Sequence, residues 1–225
     1  MTDLRLLSWN VRSLRQGRSE VAAVIRAADV DVALVQEAPR LLRWRSKRAA
    51  LARESRLLVG TADRLGGLFV MTSPRTWVLE HAHLPLAATP RRHRRALVSA
   101  TVSVAGAPAW ALAVTHLGLD AEERARHAGV VRSVAEDQPD LPLVLAGDLN
   151  AEPGSRVWDE MAAGLQDTFA GHPTATFPSA GPRRRIDAVF ASPSVSVKEA
   201  RVVDTPDARA ASDHLPLVVV LEDAR

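Results

Sequence analysis

Pro108–Asn150 reads PAWALAVTHLGLDAEERARHAGVVRSVAEDQPDLPLVLAGDLN. Its first part, Pro108–His116, is a short apolar run that reads as a strand and ends on a histidine. Ala121–Asp137 is the clearest helix of the chain, with acidic residues in the first turn, where the helix dipole favours them. Leu143–Gly147 is again a buried-strand run, and it delivers Asp148 and Asn150. Strand, helix and strand in succession predict an α/β arrangement.

The same order recurs toward the N-terminus. Leu4–Val11 and Val32–Gln36 read as buried strands, separated by EVAAVIRAA at helical spacing with Ser19 as its expected N-cap. Leu41–Ser55 is helical by propensity and strongly basic. Strand-like runs follow at Leu57–Gly60, Leu68–Thr72, Trp77–Leu84 and Arg95–Val104. After Asn150 come a short helix from Ser155 to about Ala163 and three closing strands, Arg185–Ala191, Val195–Val203 and Leu215–Leu221. No internal repeat, low-complexity tract or linker interrupts the series. The expectation is one α/β domain over residues 1–225, with sheets packed face to face and helices outside.

The chain has no cysteine, which excludes disulfides, thiolate nucleophiles and thiolate metal ligands. A metal site must then be built from Asp, Glu, Asn and His, a donor set suited to Mg²⁺ or Mn²⁺. Neither a signal peptide nor a membrane-length apolar stretch is present, so a soluble cytoplasmic protein is expected. The net charge is +3, but all except two of the 29 Lys and Arg residues are arginine. That imbalance reads as a compositional bias more than as a nucleic-acid signature.

Polar residues stand where apolar strands end. Asn10 follows LRLLSW, Glu37 follows VALVQ, His116 follows AWALAVT, and Asp148 and Asn150 follow LVLAG. Asp213 and His214 precede LPLVVVL, and Asp187 lies within RRRIDAVFAS. A single strand-end Asp or Asn is more often a turn or cap residue. The whole series, each member at its own strand, points instead to a site. Asp148 and Asn150, two apart on an extended chain, project to one side. Carboxylates such as Glu37 and Asp213 can hold a cation that neutralises a phosphate. An imidazole can move a proton at neutral pH, and a carboxylate behind it, Asp187 behind His214, fixes its tautomer. His116 or Asn150 can stabilise the non-bridging oxygens.

With the segments LLSWNV, ALVQEA, VTHLGL, LAGDLNAEP, RRRIDAVFAS and ASDHLPLVVVL, the chain resembles the endonuclease/exonuclease/phosphatase superfamily over nearly its whole length. The resemblance implies a four-layer α/β sandwich: two mostly antiparallel sheets packed face to face and flanked by helices. It implies Glu37 as the main Mg²⁺ (or Mn²⁺) ligand, supported by Asn10 and Asp213. It implies Asp148 and Asn150 orienting water or binding phosphate, His214 with Asp187 as base or phosphate contact, and His116 stabilising phosphate or protonating the leaving oxygen. The base stays open between Asp148 and the Asp187–His214 pair. The AP-endonuclease branch carries a tyrosine near the position of His116, and this sequence has none. That points toward the deoxyribonuclease, sphingomyelinase and deadenylase side.

Basic clusters occur at Arg40–Arg56, Arg91–Arg95 and Arg183–Arg185. For the first two, phosphate contact and a solvated face both remain open. For the third, just before the Asp187 strand, phosphate contact by Arg184 and Arg185 is expected. Trp9 and Trp44 read as packing residues. The expected activity is metal-dependent hydrolysis of phosphate esters by a monomer, first of all cleavage of DNA or RNA. The alternative is a phosphatase or phosphodiesterase of small phosphorylated metabolites or lipid head groups. A binding module without catalysis is disfavoured because every expected position is filled.

Overall fold

The computed structural model of the chain describes residues 3–62, 64–105, 107–136, 140–172 and 175–224. The strands are β1 (Leu4–Asn10), β2 (Val32–Gln36), β3 (Leu58–Ala62), β4 (Phe69–Thr72), β5 (Thr76–Pro85), β6 (Ala96–Val104), β7 (Trp110–His116), β8 (Leu143–Asp148), β9 (Gln166–Asp167), β10 (Asp187–Ala191), β11 (Val195–Val202) and β12 (Leu217–Asp223). The helices are α1 (Arg18–Ala28), α2 (Trp44–Glu54), α3 (Ala121–Glu136), α4 (Arg156–Ala162) and α5 (Pro206–Ala211).

Two six-stranded sheets result, in the orders β11-β12-β1-β2-β4-β3 and β5-β6-β7-β8-β10-β9. Each contains one parallel pair, β1/β2 and β7/β8, with every other pairing antiparallel. Helix α1 joins the first pair and α3 the second, as parallel neighbours require a crossover. The two halves share one pairing scheme without sharing a sequence repeat.

Alternate residues of the central strands fill the space between the sheets: Leu4 and Leu6, Val32 and Leu34, Leu112 and Val114, Val144 and Ala146, Val189 and Ala191. The opposite faces receive the helices. On the first sheet, Val21, Val24 and Ile25 of α1 pack with Leu51 of α2 and Ala208 of α5. On the second, Ala128 and Val131 of α3 pack with Trp158 and Met161 of α4. Burying each of the larger side chains contributes roughly 1.5–3 kcal/mol. The layers are therefore helix, sheet, sheet, helix.

Some local expectations need correction. Helix α1 starts at Arg18 after Gly17 with no side-chain cap, and the Ser19 hydroxyl instead donates to Glu20. Helix α5 and strand β9 were not expected. The helix carries a readable signal, because the Thr205 side chain accepts from Ala208 N and Pro206 occupies the first turn. Asp137, the expected last residue of α3, lies outside the described residues. No described helix is long and apolar enough to cross a membrane.

Candidate active site

The inward-facing series of the central strands changes chemistry at one edge. Leu4 and Leu6 lead to Ser8 and Asn10, and Leu112 and Val114 lead to His116. Val144 and Ala146 lead to Asp148, and Val189 is two residues from Asp187. The period of two that builds the core thus aims these polar side chains into the gap between the sheets. Gln36 donates to Ser8 Oγ at 3.1 Å, a polar step between the apolar layers and the site.

Register aligns the members of the second sheet, with His116 opposite Asp148 and Asp148 opposite Asp187. Gly147 makes that alignment possible. Its φ is 150°, and a Cβ there would stand 2.0 Å from the Thr115 carbonyl oxygen. Any larger residue would push β8 away from β7 and separate His116 from Asp148.

Asp148 is the hub. Its Oδ2 accepts from Asn10 Nδ2 at 2.9 Å, across the two sheets, and lies 3.2 Å from His116 Nε2 and 3.7 Å from His214 Nε2. Its Oδ1 accepts from the Asn150 backbone N–H at 3.0 Å. His214 Nδ1 is 2.9 Å from Asp187 Oδ2, and Thr176 Oγ1 donates to the same oxygen at 2.5 Å. Asn150 Nδ2 lies 3.2 Å from His116 Nε2 and 3.1 Å from the Leu117 carbonyl. Asn10, His116, Asp148, Asp187 and His214 are all buried.

Burial, together with the Asp187 charge, drives the Asp148 carboxyl up to about 6, against the pull of His214 and the N–H groups of Asn10 and Asn150. Burial works against a charge on His214. The facing carboxylates of Asp187, Asp148 and Asp213 and the Asp187 hydrogen bond outweigh it, raising its pKa to about 10. His116 is driven well below its usual value by burial and by the cations Arg95 and His214. It is therefore neutral. Its buried Nδ1 has no partner among the described residues, so the ring proton belongs on Nε2, where Asp148 accepts it.

Glu37 is half-buried and its carboxylate has no hydrogen-bond or ion-pair partner among the described residues. Glu37 and Asn150 both have left-handed backbones, with φ of 52° and 49°. Such strain in L-residues is held only by surrounding structure and concentrates at functional sites. Asp213 pairs with Arg12 at 3.1 Å, and Asn10 Oδ1 accepts from the Arg12 N–H at 3.0 Å.

The arginines expected at the mouth separate. Arg184 is exposed, bonds Glu152 at 2.8 Å, and lines a cleft of about 530 Å³ with Asn150. Arg185 turns away, paired with Asp167 and lying 4.9 Å over the Trp158 ring. The positioning residues Trp9, Thr176 and Ser212 carried no clear signal in the sequence. Trp9 Nε1 donates to the His214 carbonyl at 2.8 Å, and Ser212 Oγ donates to the Asn10 carbonyl at 2.7 Å. A hydroxyl beside Asp213 offered a hint of Ser212; nothing local singled out Thr176.

The sequence profile described as the Endonuclease/Exonuclease/phosphatase family matches residues 7–214. The chain belongs to this family. No protein of curated function matches its sequence. Among solved structures, it is similar to the endonuclease/exonuclease/phosphatase from Beutenbergia cavernae DSM 12333, with 26% identity and a TM-score of 0.71, covering 99% of this chain and 72% of that one. The Bacteroides thetaiotaomicron VPI-5482 mannosyl-6-phosphatase Bt3783 shares 19% identity at a TM-score of 0.79, covering 97% and 99%. TDP2 of D. rerio, complexed with a single-strand DNA product, shares 20% at 0.74, covering 99% and 100%. As a member of the endonuclease/exonuclease/phosphatase family, the protein is a hydrolase of phosphate esters.

Enzymes of the family use divalent metals, and the donors here suit one. Ligand atoms of Asp148, Asp187 and His214 lie within 4.8 Å of one another, although His214 Nδ1 is already held by Asp187. The unpartnered carboxylate of Glu37 stands at the end of β2 beside this group. A hard cation suits such oxygen donors.

Proposed function

We propose that the protein is a Mg²⁺- or Mn²⁺-dependent phosphodiesterase that cuts nucleic acid by water attack. The observation that carries this reading is the meeting of Asn10, His116 and His214 around one carboxylate, Asp148, at one edge of the gap between the sheets. Glu37 with Asp213 and Asn10 would hold the cation, which when bound neutralises the phosphate and polarises it toward attack.

Asp148 takes the proton from the attacking water, since its carboxyl is tuned near neutrality and His214 is already protonated. His214 carries its proton at Nε2, balances the phosphate charge and supplies the proton to the departing oxygen. The P–O bond to water forms as the ester P–O bond breaks. At 3.7 Å, Asp148 can then return its proton to His214. Asp187 and Thr176 hold the His214 ring in place, His116 holds Asp148 through its Nε2–H, and Asn150 directs an N–H at the non-bridging oxygens. The cleft beside Asn150 carries Arg124, Arg156 and Arg184 against Glu122 and Glu152, a net positive lining that favours an extended anionic substrate over a small one.

The test is cleavage of single-stranded DNA and RNA by purified protein with Mg²⁺ or Mn²⁺. Wild type should cut at least one of them, and His214→Ala should not. Failure on every polynucleotide, with turnover of small phosphate esters, would move the activity to metabolites or lipid head groups.

A further inference from the structure

Arg95 stands immediately before β6, whose Leu97 is opposite Thr115, so it lies just past His116 in the sheet. It is only 9% exposed, and its Nε has no partner among the described residues. A buried guanidinium without an acceptor is costly. Other buried arginine groups have structural work: Arg48, for example, donates to the Pro39 and Leu68 carbonyls. Arg95 interacts electrostatically with Asp148, Glu37 and Glu123, and with the like charge of Arg40. Arg40 and His93, like Arg95, also act electrostatically on His116.

Arg40 and His93 belong to the lining of a cleft of about 630 Å³, with Leu41, Arg64, Gly66, Arg92 and Arg94. One wall follows Glu37 by three residues, and another runs directly into Arg95. The Arg64–Gly67 turn is wedged between them. Gly66, at φ 69°, sits so close to Ala96 that a Cβ would meet its Cβ at 2.7 Å, and Gly67 O accepts from Ala38 N at 2.7 Å. None of the described lining residues is acidic. Arg92 is paired with Asp120 at 3.0 Å and Arg64 Nε donates to the Arg40 carbonyl at 3.1 Å. The side chains of Arg40, His93 and Arg94 have no hydrogen-bond or ion-pair partner among the described residues. Like charges lining one cleft repel one another and focus a positive field into it, an arrangement suited to an anion.

We propose that this cleft, whose Arg94 runs directly into Arg95, binds a second phosphate of the substrate, next to the one that is cut. The proposal rests on the phosphoesterase reading of the adjoining site. The ligand chemistry is a phosphate one unit from the scissile ester, supplied either by a polynucleotide backbone or by a small diphosphorylated molecule.

The experiment compares wild type with the Arg64→Ala/Arg94→Ala double variant in Mn²⁺. Substrates are bis-p-nitrophenyl phosphate, which has one phosphate, the dinucleotide TpT with and without a terminal phosphate, and a dinucleoside diphosphate. Wild type should favour a two-phosphate substrate over its one-phosphate counterpart at least tenfold in kcat/KM, and the double variant should lose that ratio. Preference confined to phosphorylated TpT assigns the backbone; preference for the dinucleoside diphosphate assigns a small molecule. Equal ratios in the two proteins overturn the proposal.

Binding of pyrophosphate and hexathymidylate in EDTA, read by calorimetry, tests the cleft even if no ester is cut. Binding that is salt-sensitive in wild type and at least tenfold weaker in the double variant supports the subsite, whereas unchanged binding overturns it. Lack of turnover with intact binding would instead remove the catalytic reading.

Discussion

Asp187, at the start of β10, and His214, in the loop between α5 and β12, meet at 2.9 Å, Oδ2 to Nδ1, with Thr176 donating to the same carboxylate oxygen. The pair fixes which ring nitrogen faces the site and keeps the ring charged. Asp187→Asn should lower the His214 pKa from about 10 by at least two units, followed by NMR titration in EDTA. A pKa that stays put would deny Asp187 this role.

The same pair sets a stability dependence on pH. A folded pKa raised from 6.5 to about 10 stabilises the fold fully below about pH 6.5, and this contribution disappears as pH rises through 10. The chain has no tyrosine and only Lys47 and Lys198 as lysines, so few other groups obscure that window. Urea midpoints of metal-free protein should fall between pH 7 and 10, and the fall should be smaller in Asp187→Asn.

Asp148 works in the opposite sense. Its raised pKa means that the buried charge costs stability above about pH 6, an effect that vanishes below 3.8, where folded and unfolded states are both protonated. Asp148→Asn should therefore remove activity, and the stability of the metal-free variant relative to wild type should be more favourable at pH 7.5 than at pH 4. A stability difference that does not change with pH would contradict the burial argument.

Glu37 pays for its place with a left-handed backbone, at φ 52°. Glu37→Gly should relieve about 0.5–1.5 kcal/mol of strain, partly offset by glycine's freer unfolded chain. The rise in melting temperature on adding Mg²⁺ or Mn²⁺ should disappear with it. Retention of that rise would place the cation elsewhere.

Thr176→Val leaves Asp187 one hydrogen bond short. The expected costs are about 1–2 kcal/mol of stability and a reduced kcat at nearly constant KM. A change confined to KM would show that Thr176 touches substrate and does not position the dyad.

The sequence exposed most of this architecture because core and site obey one alternation. Leu112, Val114 and His116 point the same way, so reading the strand placed the histidine. Asp148 and Asp187 were legible for the same reason, whereas His214, in the loop before β12, was legible from the Ser212–Asp213–His214 motif. Four features were not. Parallel pairing of β1 with β2 and of β7 with β8 depends on how distant strands meet. Thr176 lies in a loop segment where hydroxyls are common, and only the fold brings it to Asp187. Arg185 belonged to the same basic run as Arg184, yet the two take opposite directions, one to Asp167 and one to Glu152. Arg95, in a cluster that read equally well as a solvated face, proved buried.

The most direct measurement is a matrix of divalent metals against phosphate esters, from bis-p-nitrophenyl phosphate to DNA, RNA and sugar phosphates, with Asp148→Ala as the blank. The account predicts turnover with Mg²⁺ or Mn²⁺, none in EDTA, and a loss of at least a thousandfold in the blank. Turnover that persists in EDTA, or in Asp148→Ala at the wild-type rate, would contradict it.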